Sequence, residues 1–144
     1  MTSSHPKAPV IDGVEVVAEP ALLAAQGKVY DVPVMLGTNR DEGTLFVPVK
    51  ADATDANFTY WINRTFNARD AALLNTVYNP SKYNATKDAS AAFWALAAIL
   101  GDGLMTCPAR RSAHILGQDP NRTSGTFRYF FQHELSLLKT IEVC

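Results

Sequence analysis

Residues 32–46 (VPVMLGTNRDEGTLF) constrain this chain more than any other stretch. Residues 32–36 form an apolar run without polar alternation, the pattern of a strand buried on both faces. Gly37 closes the run, and the chain turns through polar residues into two adjacent carboxylates, Asp41 and Glu42. Open α/β sheets keep their sites at the carboxyl ends of their strands, so acidic side chains there are candidates for chemistry. On residue types alone the pair also fits the first turn of a helix running through Phe46, where carboxylates favour the helix dipole.

The order of elements sets the fold class. Residues 9–17 read as a short extended pair turned at Asp12-Gly13, and residues 20–26 as a helix opened by Pro20 and stopped by Gly27. Phe58, Ile62 and Phe66 recur every four residues, and Leu73, Leu74, Val77 and Tyr78 keep a similar rhythm. These predict two helices parted near Asn67, with a break at Asn79-Pro80. Residues 88–100 are apolar nearly all round and predict a packed helix ended by Gly101-Asp102-Gly103. Residues 104–116 predict another, with Pro108 in its first turns, and residues 126–131 (TFRYFF) a second strand. A long helical connection between strands implies parallel pairing in a larger sheet, hence an α/β class. Two parallel strands do not make a stable sheet, so the sequence reads like the late part of a domain.

The 144 residues are 47% hydrophobic and 19% charged with net charge -1, as in a soluble globular domain or part of one. Without a basic run, nothing points to nucleic acid as a partner. The longest apolar stretch, residues 89–100, is too short by itself to span a bilayer. Residues 1–7 have no apolar segment of the kind a signal peptide needs. Four Asn-x-Thr sequons, at Asn57, Asn63, Asn84 and Asn121, exceed the one or so expected by chance from eight asparagines. They point to a secreted parent glycosylated on surface loops, although Asn and Thr also mark helix caps and turns.

Complete catalytic constellations are absent from the sequence. None of the eight glycines has Ser two positions on, so there is no Gly-x-Ser-x-Gly nucleophile elbow, and there is no Gly-rich oxyanion loop. His5, His114 and His133 are isolated, no Cys-x-x-Cys occurs, and no phosphate-binding loop is present. No metal or organic cofactor is therefore expected.

The pattern Val32-Pro33-Val34-Met35-Leu36-Gly37-x-Asn39-x-Asp41-Glu42-Gly43-x-x-Phe46 resembles the segment carrying the triad acid in the type-B carboxylesterase and cholinesterase family. The resemblance extends over residues 9–133. It includes Pro9-Val10-Ile11-Asp12-Gly13, Phe93-Trp94, Gly101-Asp102, Cys107-Pro108 and Tyr129-Phe130-Phe131-Gln132-His133. It implies a partial α/β-hydrolase fold with two core parallel strands and intervening helices. It also implies hydrolysis of a small-molecule carboxylic ester by a Ser-Glu-His triad, in which the acid is Glu42 rather than Asp41. The family order is serine, acid, histidine, so the nucleophile and histidine segments are expected outside residues 1–144, leaving the chain alone inactive. The family's equivalent of His133 is not the catalytic base. Cys107 resembles a family disulfide cysteine, and Cys144 either pairs with it or belongs to the histidine loop. The other function class open to such a chain is a catalytically dead cholinesterase-like adhesion module, which the residue at the nucleophile position would distinguish.

Overall fold

The computed structural model describes residues 10–133. The chain opens with a turn. Asp12 Oδ1 accepts hydrogen bonds from the amides of Val14, Glu15 and Val16 at 2.9, 3.0 and 3.0 Å, and Gly13 takes φ +75°. Those amides are thereby unavailable to a partner strand, which is why the expected hairpin around Asp12-Gly13 does not form. Helix α1 (Pro20–Ala25) follows, with the Glu19 carboxylate capping the Leu22 amide at 2.9 Å. Gly27 at φ +68° ends it, and the Lys28 amide reaches back to the Leu23 carbonyl at 2.9 Å.

Strand β1 (Val34–Asn39) and strand β2 (Thr126–Phe131) form a two-stranded parallel sheet, running from Val34 opposite Thr126 to Asn39 opposite Phe131. Their starts are tied together by Asp31. Its carboxylate accepts the Thr123 hydroxyl at 2.6 Å and the amides of Thr123 and Ser124 at 3.0 and 2.9 Å. Arg122 adds hydrogen bonds to the carbonyls of Tyr30 and Val32. These bonds hold the carboxyl of Asp31 far below the usual carboxylate range, the Thr123 hydroxyl contributing most.

Side chains alternate along each strand, so Val34, Leu36 and Thr38 share a face with Thr126, Arg128 and Phe130. Helix α5 (Cys107–Gly117) packs on the sheet and lines a groove with Thr126 and Arg128 of this face. The other face holds Met35, Gly37, Asn39, Phe127, Tyr129 and Phe131. Met35 there is 70% exposed. The expectation of a strand buried on both faces is thus half met: among the described residues β1 is covered on the α5 side, while Phe130 of β2 on that same face is 51% exposed.

The core lies in the helices. Helix α2 (Asp55–Thr65) buries Phe58 and Ile62 and starts with a capping box between Thr54 and Asn57. Helix α3 (Ala68–Val77), capped by Asn67, buries Ala71 and turns Leu74 and Tyr78 inward. Leu73 and Val77, expected on the buried face, are 61% and 47% exposed, because the inward stripe follows Ala71, Leu74 and Tyr78 instead. Helix α4 (Ala91–Gly101), capped by the Ser90 hydroxyl, contributes Ala92, Ala95, Leu96 and Ile99 to this core.

The sequence places a stop at Gly101-Asp102-Gly103, and the structure corrects it. Gly101 and Asp102 keep helical dihedrals, and a single π-turn (Asp102–Thr106) joins α4 to α5 without a break. Pro108 would remove the amide that bonds back to Leu104 and crowd that carbonyl; the wider turn ahead of it relieves both. The joined helix of 27 residues is long and apolar enough to cross a bilayer by length and composition. Its α4 half is instead committed to the helical core.

Candidate functional site

The last rung of the sheet is the Arg40 amide donating to the Phe131 carbonyl at 3.0 Å. At Asp41 (φ -115°, ψ 25°) the chain leaves extended geometry and enters a 3₁₀ turn, Glu42–Phe46. The Asp41 carbonyl accepts both the amide and the hydroxyl of Thr44, at 3.1 and 2.7 Å, which closes the turn.

The two carboxylates are treated differently. Asp41 Oδ2 is ion-paired with the Arg40 guanidinium at 2.8 Å. Glu42 is half-buried, and Oε1 accepts one neutral hydrogen bond, from Asn39 Nδ2 at 3.0 Å. Asn39 is the final residue of β1 and stands on the uncovered side of the sheet, so Glu42 is held at the carboxyl end of that face. Neither His114 nor His133 donates to it. His114 is exposed on α5, and His133 is exposed beyond β2, 6.3 Å from the Phe131 ring.

Gly43 fixes the turn in place. It is buried against α4, and a Cβ built on it would lie 1.9 Å from the Ala97 carbonyl oxygen and 2.5 Å from the Gly101 amide. Only glycine lets two backbones approach this closely. Asp102 Oδ2, next to Gly101, accepts the Tyr78 hydroxyl at 2.8 Å and so ties α3 to the π-turn. Burial, then this carboxylate, pushes the Tyr78 phenol well above its ordinary value, and Tyr83 is raised by the same two causes. A cavity of about 410 Å³ opens between the turn and α4, walled by Asn39, Arg40, Asp41, Tyr83, Trp94 and Asp102. Glu42 is not in its wall, so the cavity belongs to the Asp41 side of the turn.

Sequence reasoning singled out Glu42 but missed what holds it: Asn39, the Gly43–Gly101 approach and the Tyr78–Asp102 bond. Asn39 and Gly43 stand in the motif, yet their partners emerge only from the packing. Of the four sequons, Asn84 and Asn121 lie in loops as expected, whereas Asn57 and Asn63 lie on α2; all four are exposed. Cys107 is exposed and free among the described residues, and Cys144 lies outside them. No cluster of three or more metal-ligating side chains occurs among the described residues.

A model of the carboxylesterase family matches residues 1–142. The chain belongs to the carboxylesterase family. It is also similar to the "Crystal protein" of Dictyostelium discoideum, 27% identical over 138 residues. That match takes in 94% of this chain and 24% of the relative, so the chain spans about a quarter of the curated protein it matches. The two parallel strands with intervening helices are consistent with a partial α/β fold of this family.

Proposed function

We propose that this chain is the acid-bearing segment of a carboxylic ester hydrolase working through a Ser-Glu-His triad, with Glu42 as the acid. The observation that carries the reading is the contrast between the two carboxylates. Asp41 is ion-paired with Arg40, whereas among the described residues Glu42 accepts a neutral amide from Asn39 at the carboxyl end of β1. A triad acid must stay anionic, accept the histidine Nδ1–H and stabilise the imidazolium formed when the serine attacks. Among the described residues nothing donates to Glu42 Oε2, which is where that bond would form, and the Gly43 contact with α4 keeps its turn from drifting.

The nucleophile and its oxyanion hole account for most of the rate in such enzymes, and neither motif is present in the 144 residues. The chain alone is therefore expected to leave a small-molecule ester intact, and no cofactor is needed for the chemistry. We further read the parent as a secreted glycoprotein carrying glycans among Asn57, Asn63, Asn84 and Asn121, with Cys107 and Cys144 as disulfide candidates.

The test is a parent polypeptide that supplies the elbow and the histidine loop. Glu42→Gln should fold normally and lose turnover of a short-chain aryl ester by about ten-thousandfold, as the analogous change in a serine protease does. Asp41→Asn should lose far less. If Glu42→Gln keeps near-parental turnover while Asp41→Asn does not, the assignment is off by one residue. If both keep it, the triad reading of this segment is wrong; a parent without turnover and without serine at the nucleophile position would instead support the adhesion-module reading.

A further inference from the structure

Transfer of an N-linked glycan joins the side-chain nitrogen of asparagine to the anomeric carbon of a sugar. That carbon's bond to a polyprenyl diphosphate breaks, the diphosphate leaves, and one amide proton passes to a base of the transferase. The enzyme takes the Asn-x-Thr tripeptide as accessible chain and reads the hydroxyl two residues on, so a sequon whose backbone and hydroxyl are already engaged is a poor acceptor. At Asn121-Arg122-Thr123 they are engaged throughout. The Asn121 amide donates to Asp119 Oδ1 at 2.9 Å and the Arg122 amide to the Asp119 carbonyl at 3.2 Å, which folds the segment into a turn. The Arg122 side chain donates to the carbonyls of Tyr30 and Val32, just ahead of β1, and its Nε is buried. The Thr123 hydroxyl donates to Asp31 Oδ2 at 2.6 Å, and the Gly125 carbonyl accepts the Val34 amide at 3.0 Å. The Asn121 side chain is exposed and makes no hydrogen bond among the described residues.

We propose that Asn121 is a modification site gated by strand pairing: it accepts a glycan while residues 119–125 are apart from residues 30–34, and the paired strands withhold it. Asp31 and Thr123 stand 92 residues apart in sequence, so nothing local closes this lock; it closes when the two strands meet. Asn84 provides the contrast. Its Thr86 hydroxyl is held by near neighbours, accepting the amides of Asp88 and Ala89 at 3.3 and 3.1 Å and the Trp94 indole N–H at 3.3 Å, with no bond to either strand. The gate takes its setting from the glycoprotein reading, yet the two fail separately. A secreted chain without glycans removes that reading, whereas the gate is decided on purified chain.

The unglycosylated 144-residue chain and a free peptide of residues 117–127 are each incubated with a membrane extract containing oligosaccharyltransferase and a lipid-linked oligosaccharide. Occupancy at each asparagine is followed by peptide mass spectrometry. Asn121 in the chain should be modified at least about tenfold more slowly than in the peptide, because several charge-assisted hydrogen bonds must open together. Asp31→Ala should bring Asn121 toward the peptide's rate and leave Asn84 unchanged. Arg122→Ala, which keeps an Asn-x-Thr sequon but removes the bonds to Tyr30 and Val32, should also raise Asn121 alone. A wild-type chain that accepts at the peptide's rate overturns the proposal without any variant. So does an Asn121 rate that neither substitution moves. Asn84 rising together with Asn121 in both variants overturns it as well, since opening of the whole fold would then govern access.

Discussion

Replacing Gly43 by alanine tests how the acid turn is held. The added methyl would stand 1.9 Å from the Ala97 carbonyl oxygen and 2.5 Å from the Gly101 amide nitrogen. Carbon and oxygen sit comfortably at roughly 3.5 Å, so the turn and α4 must separate by about 1.5 Å. Neither obstacle is a flexible side-chain tip; both are helix backbone, which cannot step aside without breaking its own hydrogen bonds. Overpacking of this kind costs about 1–3 kcal/mol. With a urea slope of about 1–2 kcal/mol per molar for a small fold, the midpoint should fall by roughly 0.5–3 M. The assay is urea unfolding followed by ellipticity at 222 nm, paired with hydrogen exchange at residues 42–46. Gly103→Ala is the matched control. It lies in the same helix with nothing within 4 Å of a new Cβ, so stability should hold or rise slightly. In an active parent the same displacement of Glu42 should cost about a hundredfold in turnover. A Gly43→Ala chain that unfolds with Gly103→Ala, with unchanged exchange at the turn, would refute the close-approach argument.

Other expectations follow from single contacts. Because the folded-state carboxyl of Asp31 lies below its ordinary 3.8, its contribution is full above that value and fades as pH falls beneath it. Amide shifts of Thr123 and Ser124 should report this, and Asp31→Asn should abolish the acid dependence. Tyr78→Phe should cost about 1 kcal/mol in chemical unfolding by removing the bond to Asp102, leaving helix content unchanged. Asn57→Gln should cost about 1 kcal/mol by dismantling the α2 capping box, while Asn63→Gln, near the end of the same helix, should be neutral. In a secretory host with a signal peptide added, an endoglycosidase should shift the chain on a gel; no shift would mean the sequons are caps and turns only.

Much of this architecture was legible because it is local. The apolar run ending at Gly37, the four-residue rhythm of Phe58 and Ile62, and the aromatic strand at residues 126–131 each declare a period and a stop. What escaped depends on partners far along the chain. Gly101 looks like a helix terminator, yet it packs against the Gly43 backbone and its dihedrals stay helical. Asp12-Gly13 looks like a hairpin turn, yet the Asp12 side chain takes the amides a hairpin would use. Leu73 and Val77 carry the right chemistry for burial but fall on the wrong side of α3. For the site, the Asp-Glu-Gly motif marks two candidate carboxylates, and only the structure shows that Arg40 engages Asp41 while Asn39 engages Glu42.

The π-turn between α4 and α5 has a consequence for how this segment tolerates insertions and deletions. At 3.6 residues per turn, one residue more or less rotates everything downstream by about 100°. The extra residue in Asp102–Thr106 therefore lets one rod address two layers, α4 pointing Leu96 and Ile99 at the helical core while α5 presents its own stripe to the sheet. Gly103 is exposed and a Cβ added there would meet nothing within 4 Å, so by ordinary criteria it is an expendable position. Deleting it would nevertheless straighten the rod into a regular helix and swing Ala113 away from the strands, undoing the sheet's single covered face. The length of this stretch is under tighter constraint than the identity of the residues that fill it.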